Sequence, residues 1–175
     1  TSNGRNAVIN QLKMISMFLS TLEGAIGKSV LDGLVPVFNQ IVGHTDWGQD
    51  DAILEAMLTC AQKSLQCLIH PGMEARPLLP ILVNSYKIRP HPAALTLLRQ
   101  LVLLCVHDME EEIGSVFGEI SGHSLRGFES CQKFGNNLSD LAELLEAYLG
   151  LLAQICKKTA LMLQVPDQIP QMLRC

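Results

Sequence analysis

Apolar residues recur along this chain at steps of three and four, the spacing that lines one face of an α-helix. Ile9, Leu12, Ile15, Leu19 and Leu22 mark a first long segment. A second carries Ile53, Leu54, Met57, Leu58, Ala61, Leu65, Leu68 and Ile69. Leu95, Leu98, Leu101, Val102, Cys105 and Val106 line a third, and Leu141, Leu144, Leu145, Tyr148, Leu149, Leu152 and Cys156 a fourth. Shorter helical stretches alternate with these. One is lined by Val30, Leu31, Leu34, Phe38 and Ile41, the next by Leu79, Leu82, Val83 and Tyr86, and a third by Ile113, Val116, Phe117, Ile120 and Phe128. A fourth is expected near Leu161 to Leu173.

The long helices are expected to begin near Asn6, Gln49, Pro92 and Leu138, giving steps of 43, 43 and 46 residues. Pro92 suits a first helical position, and Asn137 with Asp140 resembles a capping pair. A period of about 40–47 residues is that of HEAT and armadillo helical repeats. The predicted fold is therefore all-α: a HEAT-repeat-like α-solenoid of stacked antiparallel helical hairpins. It forms a single unit over residues 1–175, with approximate repeats at 6–43, 49–88, 92–132 and 138–175.

Two phrases carry the period visibly. LVPVFNQIV (residues 34–42) and LLPILVNSY (residues 78–86) set Pro36 and Pro80 in matching slots 44 residues apart. A proline inside a helix costs about 3 kcal/mol, because it lacks the N–H and crowds the carbonyl four residues back. Both prolines are thus expected in or near the opening turns of a second helix. The third unit has no counterpart.

Composition narrows the function. The 175 residues suffice for one sizeable core, with 48% apolar and 17% charged residues. Net charge is −4, and Lys157-Lys158 is the only adjacent basic pair. Without a basic stripe for phosphates, nucleic acid is set aside as a partner. The most apolar run, residues 95–106, is interrupted by Arg99 and Gln100, so no membrane span is expected. The six cysteines form no C-x-x-C pair and read as buried free thiols in a reducing compartment. The chain opens on Thr1-Ser2-Asn3-Gly4 and stops mid-pattern at Cys175, as a piece of something longer does.

Candidate chemistry is sparse. Gly24-Ala25-Ile26-Gly27-Lys28-Ser29 invites a phosphate-loop reading, but Leu22 stands where the first glycine belongs and a helix precedes it. A turn between helices is the better reading. Gly114, Gly118 and Gly122 step by four and suggest close packing against an adjacent repeat. Asn137-Leu138-Ser139 matches a glycosylation triplet that arises often by chance. The five histidines are dispersed, mostly at expected helix ends, and no nucleophile elbow, metal motif or paired-carboxylate arrangement accompanies them. No catalysis, metal or cofactor is expected. Asp46, Asp50, Asp51 and Glu55 surround Trp47 between the first two units. They read as a solvated turn with charges facing a helix N-terminus, or with Trp47 as a contact for a basic partner.

The segment Ala93-Ala94-Leu95-Thr96-Leu97-Leu98-Arg99-Gln100-Leu101-Val102 resembles part of the importin-β (karyopherin) superfamily. The two proline phrases and VINQLKMISMFLSTL (residues 8–22) are similar to helices of HEAT repeats in that family, and the likeness covers roughly residues 6–158. The resemblance implies a superhelical nuclear transport receptor that shuttles between nucleus and cytoplasm. Its partners are protein cargo, nuclear pore proteins and Ran-GTP, the last held mainly by N-terminal repeats absent from this chain. Second helices line the cargo-facing concave surface in that architecture. Helical phase then selects partner-binding positions: Asp32 and Asn39 in the first unit, Asn84 and Lys87 in the second, Glu119 and Arg126 in the third, with Trp47 beside them. A HEAT-repeat scaffold or adaptor, such as a phosphatase regulatory subunit, keeps the same repeats without Ran. A compact helical-bundle enzyme or ligand binder is the third reading.

Overall fold

In the computed structural model, which describes residues 2–22, 28–134 and 138–158, the described chain is all-α. Helix α1 spans Ser2–Ser20 and α2 spans Ser29–Gly43. A single 3-10 turn, Trp47–Gln49, leads into α3, Asp51–Gln66. A one-turn helix α4, Pro71–Glu74, precedes α5, Leu78–Ile88. Helices α6 (Pro92–Cys105), α7 (Glu110–Phe134) and α8 (Leu138–Lys158) follow. The expected fourth second helix near Leu161 to Leu173, Asn137 with its triplet, and Gly24 to Gly27 all lie outside the described residues.

Local chemistry sets the boundaries. Asp50 accepts hydrogen bonds from the Ala52 and Ile53 amides, capping α3 (3.1 and 3.2 Å). His91 caps α6 through Nδ1, which accepts from the Ala93 amide at 3.1 Å, and Pro92 takes the first helical position. Glu110, Glu111 and Glu112 face the positive end of α7, while Lys157 and Lys158 close the last turn of α8.

The helices form two series of neighbours. Helix α1 packs against α3, α3 against α6, and α6 against α8; α2 packs against α5, and α5 against α7. Cross-helix contacts give the directions. Arg5 meets Asp50 at the starts of α1 and α3, and the Cys67 thiol donates to the Leu19 carbonyl at their ends (3.1 Å), so the two run parallel. Helices α5 and α7 also run parallel, with Arg76 near Glu112 and the Tyr86 hydroxyl 2.7 Å from that of Ser124. Asp51 bonds Arg89 across the antiparallel pair α3 and α5.

The core runs continuously between the two series. Helix α3 buries Ile53, Leu54, Ala56, Met57, Leu58, Cys60, Ala61, Ser64 and Leu65, more than one face, because it has neighbours on several sides. Serines inside the core bond their own helix, as Ser64 does with the Ala61 carbonyl and Ser85 with that of Leu82. Burial pushes the Tyr86 phenol up to about 12 and the Cys105 thiol up to about 11. Cys60, Cys67 and Cys105 are buried free thiols, whereas Cys156 is exposed.

The two proline phrases share a burial pattern but not a slot. Leu34, Phe38 and Val42 are buried in one, and Leu78, Leu82 and Tyr86 in the other. Pro80 sits at the third residue of α5, as expected, and the carbonyl four residues back, on Arg76, accepts from the Leu79 amide instead (3.2 Å). Pro36 does not: it lies inside α2, in its eighth position. The counterpart of the first turns of α2 is broken in the second unit into α4 and a turn before Pro77, whose ring disfavours helix at Arg76. Pro36 is exposed, so solvent can reach the carbonyl it leaves unpaired.

Gly114, Gly118 and Gly122 do not interrupt α7. At Gly122 an added methyl meets only the Arg126 guanidinium, at 3.5 Å, so close approach of another repeat does not explain that glycine. Gly48 is different. A Cβ there falls 2.7 Å from the Val42 carbonyl oxygen, because the 3-10 turn folds back onto the end of α2. Two substitutions test this account by thermal and urea unfolding. Pro36→Ala should raise stability by about 1–3 kcal/mol by restoring a helix N–H. Gly48→Ala should lower it by about 1–3 kcal/mol, since backbone must shift to admit the methyl.

Candidate functional site

Six of the seven positions expected from sequence to bind a partner fall on one series of helices. Asp32 and Asn39 are on α2, Asn84 and Lys87 on α5, Glu119 and Arg126 on α7, and all six side chains are exposed. Their exposure follows from phase. Each is offset from the buried stripe of its helix: Leu34, Phe38 and Ile41 on α2, Leu82 and Tyr86 on α5, Phe117 and Ile120 on α7.

The structure joins two of the six directly. The Lys87 ammonium pairs with the Glu119 carboxylate across the seam between α5 and α7, both side chains about half-exposed. Arg76 and Glu112 make a second pair on the same seam at 3.0 Å, which sequence reasoning missed. Nothing in the sequence signals it, because the partners are 36 residues apart and no local spacing relates them. Arg126 lies over Gly122 on α7. The surface the six residues make is polar and of mixed sign.

Trp47 is placed differently. It is half-buried rather than exposed, stacked on His44 with ring centroids 4.5 Å apart. It borders a recess of about 100 Å3 with Val8, Gln11 and Ile15 of α1 and Val37, Gln40 and Ile41 of α2. The acidic residues beside it are engaged elsewhere. Arg5 donates to Asp50 from both Nε and Nη2, and Arg89 donates to Asp51 from the same two nitrogens. The Arg5 hydrogen bond holds the Asp50 carboxyl below the usual carboxylate range, and Arg89 does the same to Asp51. The helix-capping reading of this patch is the one the geometry follows, which removes Asp50 and Asp51 as free anions for a basic partner.

The first ion pair joins two hairpins, α1 to α3, and the second closes the hairpin of α3 and α5. Arg5 reaches from the first long helix, Arg89 from the end of α5, and both land on the first residues of α3. His44 acts at the same joint: its Nδ1 accepts from the Asp46 and Trp47 amides (3.2 and 3.3 Å). A shallow groove of about 430 Å3 separates α1 from α3, floored by Ser16, Ala52, Ala56 and Thr59 and flanked by Lys13 and Lys63. Its floor consists of small residues, which carry no sequence signal of their own. Among the described residues, no three His, Cys, Asp or Glu side chains cluster to hold a metal ion, and no helix is long and apolar enough to cross a membrane.

Comparison with protein-family models, with curated proteins and with solved structures returns no match for this chain.

The charged groups yield separable expectations. Asp50→Ala removes the α3 cap and should cost about 1 kcal/mol in urea unfolding, whereas Asp50→Asn keeps an acceptor and should cost less at neutral pH. Because the Asp50 pKa is lowered on folding, its ionic contribution is complete above the ordinary carboxylate range and lost as pH falls through it. Asp50→Asn should therefore flatten the decline of stability below about pH 4. Lys87→Ala, on a half-exposed pair, should change stability by less than about 1 kcal/mol.

Proposed function

We propose that this chain is a stretch of HEAT-like α-solenoid from a nuclear transport receptor of the importin-13 and transportin-3 type, binding protein cargo under the control of Ran-GTP. The observation that carries the reading is the pairing of helices by turn of the period. Long helices α1, α3, α6 and α8 neighbour one another in order, and second helices α2, α5 and α7 do the same. Stacked hairpins of about 43 residues have this neighbour pattern. The likeness of residues 93–102 and of both proline phrases to karyopherin repeats supplies the rest.

Exposed apolar residues fit the same picture. Met14 (69% exposed) and Phe18 (61%) on α1 and Val37 (42%) on α2 are left uncovered. A hairpin in a stack has two apolar flanks, and an outer flank is left for another unit to cover.

On this reading α2, α5 and α7 face the cargo, with Asn39, Asn84 and Arg126 the polar contacts and the Lys87–Glu119 pair a fixed element between them. Ran-GTP acts through repeats N-terminal to these, nuclear pore proteins dock elsewhere on the receptor, and the receptor moves between nucleus and cytoplasm. Coupling needs no chemistry. Cargo and Ran-GTP favour different curvatures of one solenoid, and each then changes the affinity of the other by the same factor.

The test uses the full-length receptor that contains this chain, incubated with Ran loaded with GTP or GDP and with a cell extract as the source of cargo. Cargo should be retained differently in the two nucleotide states. Retention that ignores the nucleotide, or no Ran binding at all, discards transport and leaves a HEAT scaffold. Asn39→Ala, Asn84→Ala and Arg126→Ala together should weaken cargo binding roughly tenfold with an unchanged melting temperature.

A further inference from the structure

His91 occupies a position that the cargo reading does not use. It is the last residue before α6, half-buried, and its Nδ1 is the acceptor for the Ala93 amide. That bond requires the neutral ring with its proton on Nε2. The carbonyl of the same residue, Ala93, accepts a hydrogen bond from the Gln62 amide of α3 at 3.1 Å. One residue thus links the cap of α6 to the flank of α3.

Four charged groups act on this ring electrostatically: Asp51 and Glu55 of α3, Glu143 of α8, and Arg89 at the end of α5. Three carboxylates against one guanidinium is a field that favours a cation. The ring as placed does not exploit it. Burial holds the imidazole below its ordinary pKa and outweighs the pull of Asp51 and Glu55. The positive end of α6 lies against the same nitrogen and further disfavours a charge there.

We propose that His91 is a proton-operated latch on the joint between the second and third hairpins, capping α6 when neutral and turning to the carboxylates of Asp51, Glu55 and Glu143 when protonated. The incoming proton displaces the Ala93 N–H from Nδ1, the one basic nitrogen of the ring, while the Nε2 proton stays. The Ala93 amide then loses its acceptor. The imidazolium competes with Arg89 for Asp51, so the α3–α5 clamp and the α6 cap are released together. The sign follows from the lowered pKa: the cap is intact above the ordinary histidine range and is lost as pH falls through and below it. His44 makes an analogous Nδ1 cap at the first joint but lies exposed, so it serves as an internal control.

The test is amide exchange at Ala93 by NMR on the whole 175-residue chain at pH 7.5 and 5.0, corrected for intrinsic exchange and read beside the His91 ring nitrogen shifts. Ala93 should lose roughly fivefold in protection at the lower pH as His91 gains its second proton. His91→Asn, which keeps a capping acceptor but does not titrate, should hold Ala93 protected at both values, and His44→Asn should leave the wild-type change in place. Glu143→Gln should move the His91 midpoint to lower pH while leaving the helix content unchanged. A His91 that stays neutral at pH 5.0, an Ala93 amide that stays protected beside a protonated ring, or the same loss in His91→Asn each overturns the latch.

Discussion

A helical hairpin has two apolar flanks and cannot cover either by itself, and the architecture of this chain follows from that constraint. Helix α3 shows it most clearly. Its buried set spans Ile53, Leu54, Met57, Leu58, Ala61 and Leu65, too wide an arc for one neighbour. Helix α1 takes one side and α6 the other, with α2 and α5 beneath. Each fully buried aliphatic side chain contributes roughly 1.5–3 kcal/mol relative to exposure, so a flank carrying several dominates anything polar at the surface. Shape follows from covering, one hairpin by the next.

Polar interactions then fix how each hairpin meets its neighbour. Asp50 caps α3 and receives Arg5 from the preceding long helix, while Asp51 receives Arg89 from the following turn. Arg5 thus acts between two hairpins and Arg89 within one. Inside the core, the Tyr86 and Ser124 hydroxyls satisfy each other between α5 and α7. An unpaired hydroxyl there would cost more than the bond contributes, so the pair sets register as well as stability.

Apolar flanks hold the units together without directional preference, and the joints carry the directional contacts. The exposed polar residues of α2, α5 and α7, Asp32, Asn39, Asn84, Lys87, Glu119 and Arg126, are mixed in sign.

Much of this was legible from residues alone. The three-and-four spacing placed the long helices within a few residues of their observed starts: Ser2 for Asn6, Asp51 for Gln49, and Pro92 and Leu138 themselves. Burial of Leu34, Phe38 and Ile41 followed from the same phase, as did exposure of Asp32, Asn39 and Asn84. These are local properties, set by which side chains share a face of a helix. Other features depend on segments that meet only in space. Pro36 lies inside α2 although its twin opens α5, because Pro77 breaks the equivalent helix in the second unit. Trp47 packs on His44 because Gly48 lets the turn fold back, and Asp50 and Asp51 are neutralised by arginines 45 and 38 positions away. Periodicity determined what each helix buries; tertiary contact decided which partners its polar residues found, since a hydrogen bond or ion pair needs atoms within about 3 Å and no spacing along the chain specifies that.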